Sequence, residues 1–365
     1  MRYFFMLILG VLASSTLLGQ DDRQYRDGQE EYFGAAQLPS MRAEAMGKAQ
    51  VAIGGDVMQN FINPASIGTI NFRSLSLSSS GPFYILTESD YGYLGYAQRI
   101  NEGKWVGGVS VRALFIGPST FDAYIKNQQY ELDKAKVINT TLTVAREILP
   151  GLQLGLNANL YRLRLFTTAK SSYMPHLDLG LLYTKALGEG QNLRLGLSVN
   201  NFLFGRIAYK APNGDQDGFN MPAVLRLGAS YSGETTLDLP QSGTGSLRYL
   251  LTVEMQDYLN SRYYSALRFG GEVEIWNILA LRIGAFRRNV DDGGFTENFV
   301  KVRDFTYGFG LIVPLDKLSK REWPIRMHLD YTSLRQAQTS TVGGGRTPNM
   351  RGLSIRLAWL IDSQS

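Results

Sequence analysis

The chain has 365 residues, of which 44% are hydrophobic and 19% charged, and no cysteine. It is too apolar and too aromatic for a disordered chain, and without thiols it builds neither a disulfide scaffold nor a thiolate metal site. A mean hydropathy of -0.13 argues against a bundle of membrane helices but not against a membrane β-barrel, whose strands interleave apolar and polar residues, and the formal charge of +5 is spread without the dense basic block of a nucleic-acid binder.

Residues 1–19 read as a secretory signal peptide. Arg2 gives a short positive start, Tyr3 to Leu18 form an almost unbroken apolar run, and Gly19 precedes the polar stretch Gln20, Asp21, Asp22, Arg23. The competing reading, a single membrane anchor, needs ~20 apolar residues and the run falls short. Residues 20–69 form an N-terminal extension without clean alternation. Within it, Arg42 to Asp56 runs RAEAMGKAQVAIGGD, followed shortly by Asn63, Pro64, Ala65, Ser66 and Ile67. Gly47 permits a close backbone approach, Asn63 and Pro64 make a turn, and the Ala/Met run packs without bulk.

Residues 70–365 alternate apolar and polar with the period of a half-buried strand. Leu279, Leu281, Ile283 and Ala285 alternate with Ala280, Arg282 and Gly284, and Leu353, Ile355, Leu357 and Trp359 with Ser354, Arg356 and Ala358. Fourteen candidate strands start near residues 70, 90, 104, 137, 152, 172, 191, 221, 246, 265, 278, 304, 325 and 351. Their connections fall in strict order into a mostly short class, such as 101–103, 150–151 and 188–190, and a mostly long one, such as 117–136, 204–220 and 335–350. A soluble sandwich has no reason to sort its loops so; an outer-membrane barrel does. The expected fold is therefore all-β: a transmembrane antiparallel barrel of about fourteen strands. Tyr91, Tyr93, Tyr249, Phe305, Tyr307, Trp323 and Trp359 lie near strand ends, where amphipathic rings suit a bilayer interface.

If the apolar set faces lipid, the other parity faces the lumen and carries Arg112, Asp178, Arg194, Arg226, Arg248, Glu254, Arg268, Glu272, Glu274, Arg282, Arg326, His328, Asp330 and Arg356. An Arg at the bilayer midplane would cost about 2–4 kcal/mol, which fixes the orientation of each strand. These charges either cross-link the lumen or line a polar passage. Gly155, Gly180, Gly196, Gly228, Gly270, Gly284, Gly308 and Gly310 share their parity, leaving room for a plug or ligand or serving strand curvature.

The segment RAEAMGKAQVAIGGD with the later NPASI resembles the N-terminal signature of the FadL-like outer-membrane barrels, a superfamily that includes the PorV and PorQ proteins of type IX secretion. In that pattern a stretch AMGGAxVA leads through an acidic pair to NPAGL. Ala45, Met46, Gly47, Ala49, Val51, Ala52, Asp56, Asn63, Pro64 and Ala65 match it, whereas Lys48 replaces the second glycine, Gly55 one acid and Ser66 the glycine of the last block. Milder echoes run over 221–229 and 279–284. The resemblance implies a fourteen-stranded barrel with a lumenal hatch, in the outer membrane of a Gram-negative bacterium.

Enzyme signatures for nucleotide or zincin chemistry are missing from the sequence. His176 and His328 are its two histidines, and His328 with Asp330, two apart on one strand face, is the one candidate hydrolase site. Three functions are expected to compete. The leading one is a non-enzymatic PorV/PorQ-like secretion component that docks secreted cargo or a translocon on its long loops. The alternative is a FadL-like channel for a hydrophobic small molecule, and the third a barrel hydrolase. Besides outer-membrane lipids no cofactor, metal or nucleic acid is expected.

Overall fold

The computed structural model describes residues 39–359 except 72, 83–88, 101–104, 118–121, 126–127, 132–133, 167–169, 211–212, 215, 222, 240–242, 260–264, 291–299, 316–323 and 335–349. The stretch 1–19, expected to be a signal peptide, and Trp323 lie outside the described residues.

Fourteen strands form one closed antiparallel barrel. In chain order they are β1 (Arg73–Gly81), β2 (Ser89–Ile100), β3 (Trp105–Ile116), β4 (Lys136–Leu149), β5 (Leu152–Arg164), β6 (Ser172–Gly188), β7 (Gln191–Asn200), β8 (Val224–Leu239), β9 (Gly243–Tyr258), β10 (Ala266–Ile275), β11 (Leu279–Val290), β12 (Val300–Pro314), β13 (Ile325–Leu334) and β14 (Met350–Trp359). Each pairs with its neighbours in sequence, and β1 closes the ring on β14 with Arg73 opposite Trp359. Closure leaves no strand edge unpaired, which a membrane interior demands because nothing there replaces a missing backbone partner.

The local chemistry of the turns explains the meander. Between β10 and β11, Trp276 and Asn277 both take left-handed backbone (φ 55° and 54°) within the three-residue connection 276–278, which Ile278 N–H closes by donating to Ile275 O at 3.0 Å. Gly151 (φ 77°) and Gly190 (φ 68°) serve the β4–β5 and β6–β7 turns. At the other end, two loops carry small hairpins of their own, Asp122–Ile125 with Gln128–Glu131 and Arg206–Lys210 with Gln216–Asn220. Both chain ends of the barrel, Arg73 and Trp359, lie at the short-turn end.

Burial is inverted relative to a water-soluble sheet. On β11 the apolar Leu281 and Ile283 are 48% and 70% exposed, while Arg282 between them is 3% exposed. The same inversion holds on β9, where Leu251 and Val253 are exposed and Thr252 and Glu254 buried. A strand of ten residues at ~3.3 Å rise and ~45° tilt spans roughly 23 Å, close to the apolar band of a barrel in lipid.

Two of the aromatic assignments need correction. Tyr91 and Tyr93 do not face outward but are buried inside the barrel. β2 reads Tyr-Gly-Tyr-Leu-Gly-Tyr over 91–96, so apolar residues occupy both parities and alternation cannot orient it. The outward rings are instead Phe305 and Tyr307, together with Phe115 and Tyr173 at the long-loop end and Trp105 and Trp276 at the short-turn end, all exposed.

Candidate functional site

Ahead of β1, residues 40–70 fold as a compact inner segment inside the barrel, and nearly all of them are buried. Its parts are short because each is fixed at its start by a polar side chain. Ser40 caps helix α1 (Met41–Ala45) by accepting from the Ala43 N–H, Asp56 caps the 3-10 turn Val57–Phe61 through Met58 N, and Asn63 caps the turn Pro64–Thr69 through Ala65 N. Pro64 stands at the first helical position, where its missing N–H costs nothing. Between α1 and the first turn the chain reverses through Gly47 and Lys48, both left-handed (φ 63° and 64°). The resembled motif has glycine at both positions; here Lys48 adopts this backbone with a side chain, which ties back to Glu44 at 3.4 Å.

The inward glycines are where this segment touches the wall. A Cβ built at Gly155 would fall on the Pro64–Ala65 peptide, at Gly180 on Asn63 Oδ1, at Gly196 on Val51 O and at Gly284 on the Met46–Gly47 peptide. At Gly270 it would stand 2.6 Å from Met46 O, and at Gly308 2.7 Å from the Ala45 Cβ. Gly155 faces Gly180, Gly196 faces Gly228 and Gly270 faces Gly284 in register, so adjacent strands share each recess. Gly310 differs: its recess holds the Asp330 carboxylate and the Arg282 guanidinium.

Polar side chains of the wall then bind the segment's backbone. Glu254 accepts from the N–H groups of Gln50 and Val51 at 2.7 and 2.8 Å and pairs with Arg268 at 3.4 Å and Arg226 at 3.6 Å. Arg226 also donates to Asn200 and to Gln256. Thr306 accepts from Gly47 N and donates to Ala45 O, Ser230 donates to Ala52 O, and Ser76 donates to Asp56. Arg42 grips Glu272 with two nitrogens, at 2.8 and 2.5 Å, and Glu272 also binds Arg282 at 2.5 Å, which reaches Asp330 at 2.8 Å. Burial by itself would lower the Arg42 pKa, but the charge and hydrogen bonds of Glu272 outweigh it and raise it above its ordinary value. Asp56 meets Arg356 at 3.6 Å.

Sequence reasoning missed an amide ladder on the opposite wall. Asp178 accepts from the side-chain amides of Asn157 and Asn159 and from Asn201 N at 2.8–2.9 Å. Asn157 also donates to Asn60 O, and the Asn60 amide donates to Ser110 and Thr143. The inward parity of Asn157 and Asn159, between Leu156, Ala158 and Leu160, was the available signal.

Asn63 joins segment and wall most directly. Its amide donates to Val51 O and Leu181 O at 2.8 and 2.9 Å while its oxygen caps Ala65 at 3.0 Å. Asn63→Ala is expected to cost about 2–4 kcal/mol, because buried carbonyls lose their donors. Asn63→Asp keeps the cap but turns a buried carboxylate oxygen toward the Val51 and Leu181 carbonyls, so it should cost at least as much as Asn63→Ala; urea midpoints of detergent-solubilised barrel check both.

Above and below this layer the lumen differs. Toward the long loops, Met58 and Phe61 of the segment pack with Tyr91, Tyr93, Leu114, Tyr161, Leu163 and Phe166 in one buried apolar cluster. Phe61 meets Tyr93 edge-on at 5.6 Å, and the Arg112 guanidinium lies 4.4 Å over its ring. Toward the short turns, a polar cavity of about 240 Å³ is lined by Arg42, Arg194, Arg248, Glu272 and Glu274. Arg248 pairs with Glu234 at 2.9 Å, and the Arg194 Nε has no hydrogen-bond partner among the described residues. Arg326 and His328 lie half-buried on the inward parity of β13. Asp330 is committed to Arg282, so no His328–Asp330 hydrogen bond forms among the described residues.

No protein-family profile matches the chain, and no curated protein does. Among solved structures it is similar to toluene transporters and to a FadL homologue. The toluene transporter TbuX of Ralstonia pickettii has 13% identity and a TM-score of 0.48 over 88% of this chain and 98% of its own. The P. putida toluene transporter TodX has 13% identity and a TM-score of 0.45 over 88% and 97%. A Pseudomonas aeruginosa FadL homologue has 11% identity and a TM-score of 0.45 over 88% and 98%. At these identities and scores the likeness carries no argument about activity.

Proposed function

We propose that this chain is an outer-membrane channel that admits hydrophobic small molecules from the long-loop side, with residues 40–70 as the hatch that closes it. The observation that carries this reading is the gradient inside the barrel. Toward the long loops the lumen is a throat filled by a buried cluster of aromatic, Leu and Met side chains, the hatch forms its floor, and a polar cavity lies beyond. Apolar surface below the long loops favours entry of a molecule that water holds poorly, and the ionic layer gives the hatch discrete, exchangeable contacts rather than a fused core. The exposed apolar belt with its flanking rings supports residence in a bilayer. The secretion-docking alternative would use the long loops themselves, most of which lie outside the described residues.

Uptake of a radiolabelled aromatic hydrocarbon and of a long-chain alkyl compound into proteoliposomes tests the channel. Leu114→Glu, a charge in the throat, is expected to lower uptake about tenfold or more, whereas Leu114→Phe should leave it near the wild type, with heat-modifiable mobility reporting folding of each. Absence of uptake by the wild type, with a secreted protein or a giant barrel co-purifying from native membranes, would replace the channel by the docking role.

A further inference from the structure

The outward face of the barrel carries a concentrated cationic patch at the long-loop ends of β4 and β5. Val137 and Leu163 are buried toward the lumen, so Lys136 at the start of β4 and Arg162 and Arg164 at the end of β5 point away from it. All three lie at the long-loop end. Lys136 stands directly opposite Arg164 in register, and Arg162 opposite Ile138 on one side and Tyr173 on the other. Two like charges facing each other across a strand pair are unfavourable by themselves. The Arg164 Nε is also screened from solvent and has no hydrogen-bond partner among the described residues. Lys134 and Lys170, both exposed, extend the patch just past the strand ends.

Aromatic rings and apolar side chains frame it. The Lys136 ammonium lies 5.8 Å from the Phe115 ring, and the Arg162 guanidinium 5.8 Å from that of Tyr173. Arg162 Nε donates to Ser171. The nearest outward acid among the described residues of these strand ends is Asp90, on the far side of Phe115. One step toward the middle of the barrel the outward row is Leu94, Val111, Thr140, Leu160 and Pro175, with Leu142 beyond it 60% exposed. The short-turn end of the same strands is different: Arg146 and Lys185 share it with Glu147 and Glu189.

We propose that this patch binds the headgroup of a phosphate-bearing lipid in the leaflet at the long-loop end, with its acyl chains on Leu94, Leu142 and Leu160. Two planar guanidinium forks on β5 and an ammonium on β4, directly opposite Arg164 in register, match the several oxygens of a phosphate. An anion between Lys136 and Arg164 removes their repulsion and supplies the acceptor that Arg164 lacks. A free phosphate would satisfy the cations alone; the apolar row directly beneath them selects a lipid. The proposal rests on the reading that the barrel spans a bilayer.

Native mass spectrometry of the full chain in detergent, with lipid A bearing two phosphates and its dephosphorylated form as probes, tests it. The wild type is expected to retain the phosphorylated lipid, and Lys136→Gln/Arg162→Gln/Arg164→Gln to bind it about tenfold or more weakly. Arg162→Lys/Arg164→Lys should keep most of the binding, and Arg146→Gln/Lys185→Gln, at the other end, all of it. Should the triple variant not fold, Arg164→Gln alone is read in its place. Equal retention by the patch variant, equal retention of the dephosphorylated lipid, or displacement of the lipid by inorganic phosphate at the same concentration would overturn the lipid site. A mature chain soluble without detergent would instead sink the membrane reading, and shows itself before any lipid is added.

Discussion

Gly284→Leu is expected to open the barrel. A Cβ at this position falls on the backbone of Met46 and Gly47, with Thr306 Oγ1 2.5 Å away, so the wall cannot absorb it by turning a side chain. Overpacking a well-fitted core costs about 1–3 kcal/mol even when neighbours relax, and here the neighbour is main chain held by Thr306 on both sides of Met46, at Ala45 O and Gly47 N. The barrel's own ladder through Gly270 and Gly284 remains intact, so the segment rather than the wall should yield. Planar-bilayer recordings are expected to show a marked rise in conductance, and added protease to cut within 41–70, with unchanged heat-modifiable mobility. Gly92→Leu is the control: a Cβ there meets open space. Wild-type conductance in Gly284→Leu, with the segment still protected, would mean that the glycine belt does not seat it.

Removing the Glu272 carboxylate is expected to have the largest effect on stability. Its two oxygens hold Arg42 and Arg282, and its side chain is 4% exposed. Without it Arg282 still has Asp330, but Arg42 is left as a buried cation with no carboxylate in contact among the described residues. Breaking a buried pair from one side costs roughly 3–5 kcal/mol, whereas replacing both partners with apolar groups is far milder. Glu272→Ala should therefore lower the urea midpoint more than Arg42→Met/Glu272→Met, despite removing fewer charges. Arg42→Met alone should be mild, since Glu272 keeps Arg282. If the double variant proves the less stable of the two, the ion cluster stabilises beyond mere neutralisation, and the buried-charge account fails.

The barrel itself was legible because one physical rule acts on almost every strand residue. A closed wall between two different media forces strict alternation, so β7, β9, β11 and β14 could be oriented from their sequences, and the loop lengths sorted the two ends. β2 escaped because tyrosine is compatible with lumen and interface alike, and only the contacts of Tyr93 with Phe61 and Val57 and the burial of Tyr91 in the same cluster show both on the inner side. The inner segment resisted for a different reason. Its turns are short and each is stabilised by partners hundreds of residues away, as Arg42 is by Glu272 and Gly47 by Thr306. No local pattern encodes such pairings.

The sequence by itself therefore determined the number of strands and, on most of them, the parity that faces the lumen, because alternation is a local response to a two-sided wall. Only the tertiary structure decided why eight glycines share that parity: six are recesses for residues 40–70, four of them for main chain and two, Gly180 and Gly308, for side chains, a seventh, Gly228, shares Gly196's recess beside Val51, and Gly310 makes room for an ion pair. A missing side chain carries no information about what fills its place, and that information exists only once the two surfaces are brought together.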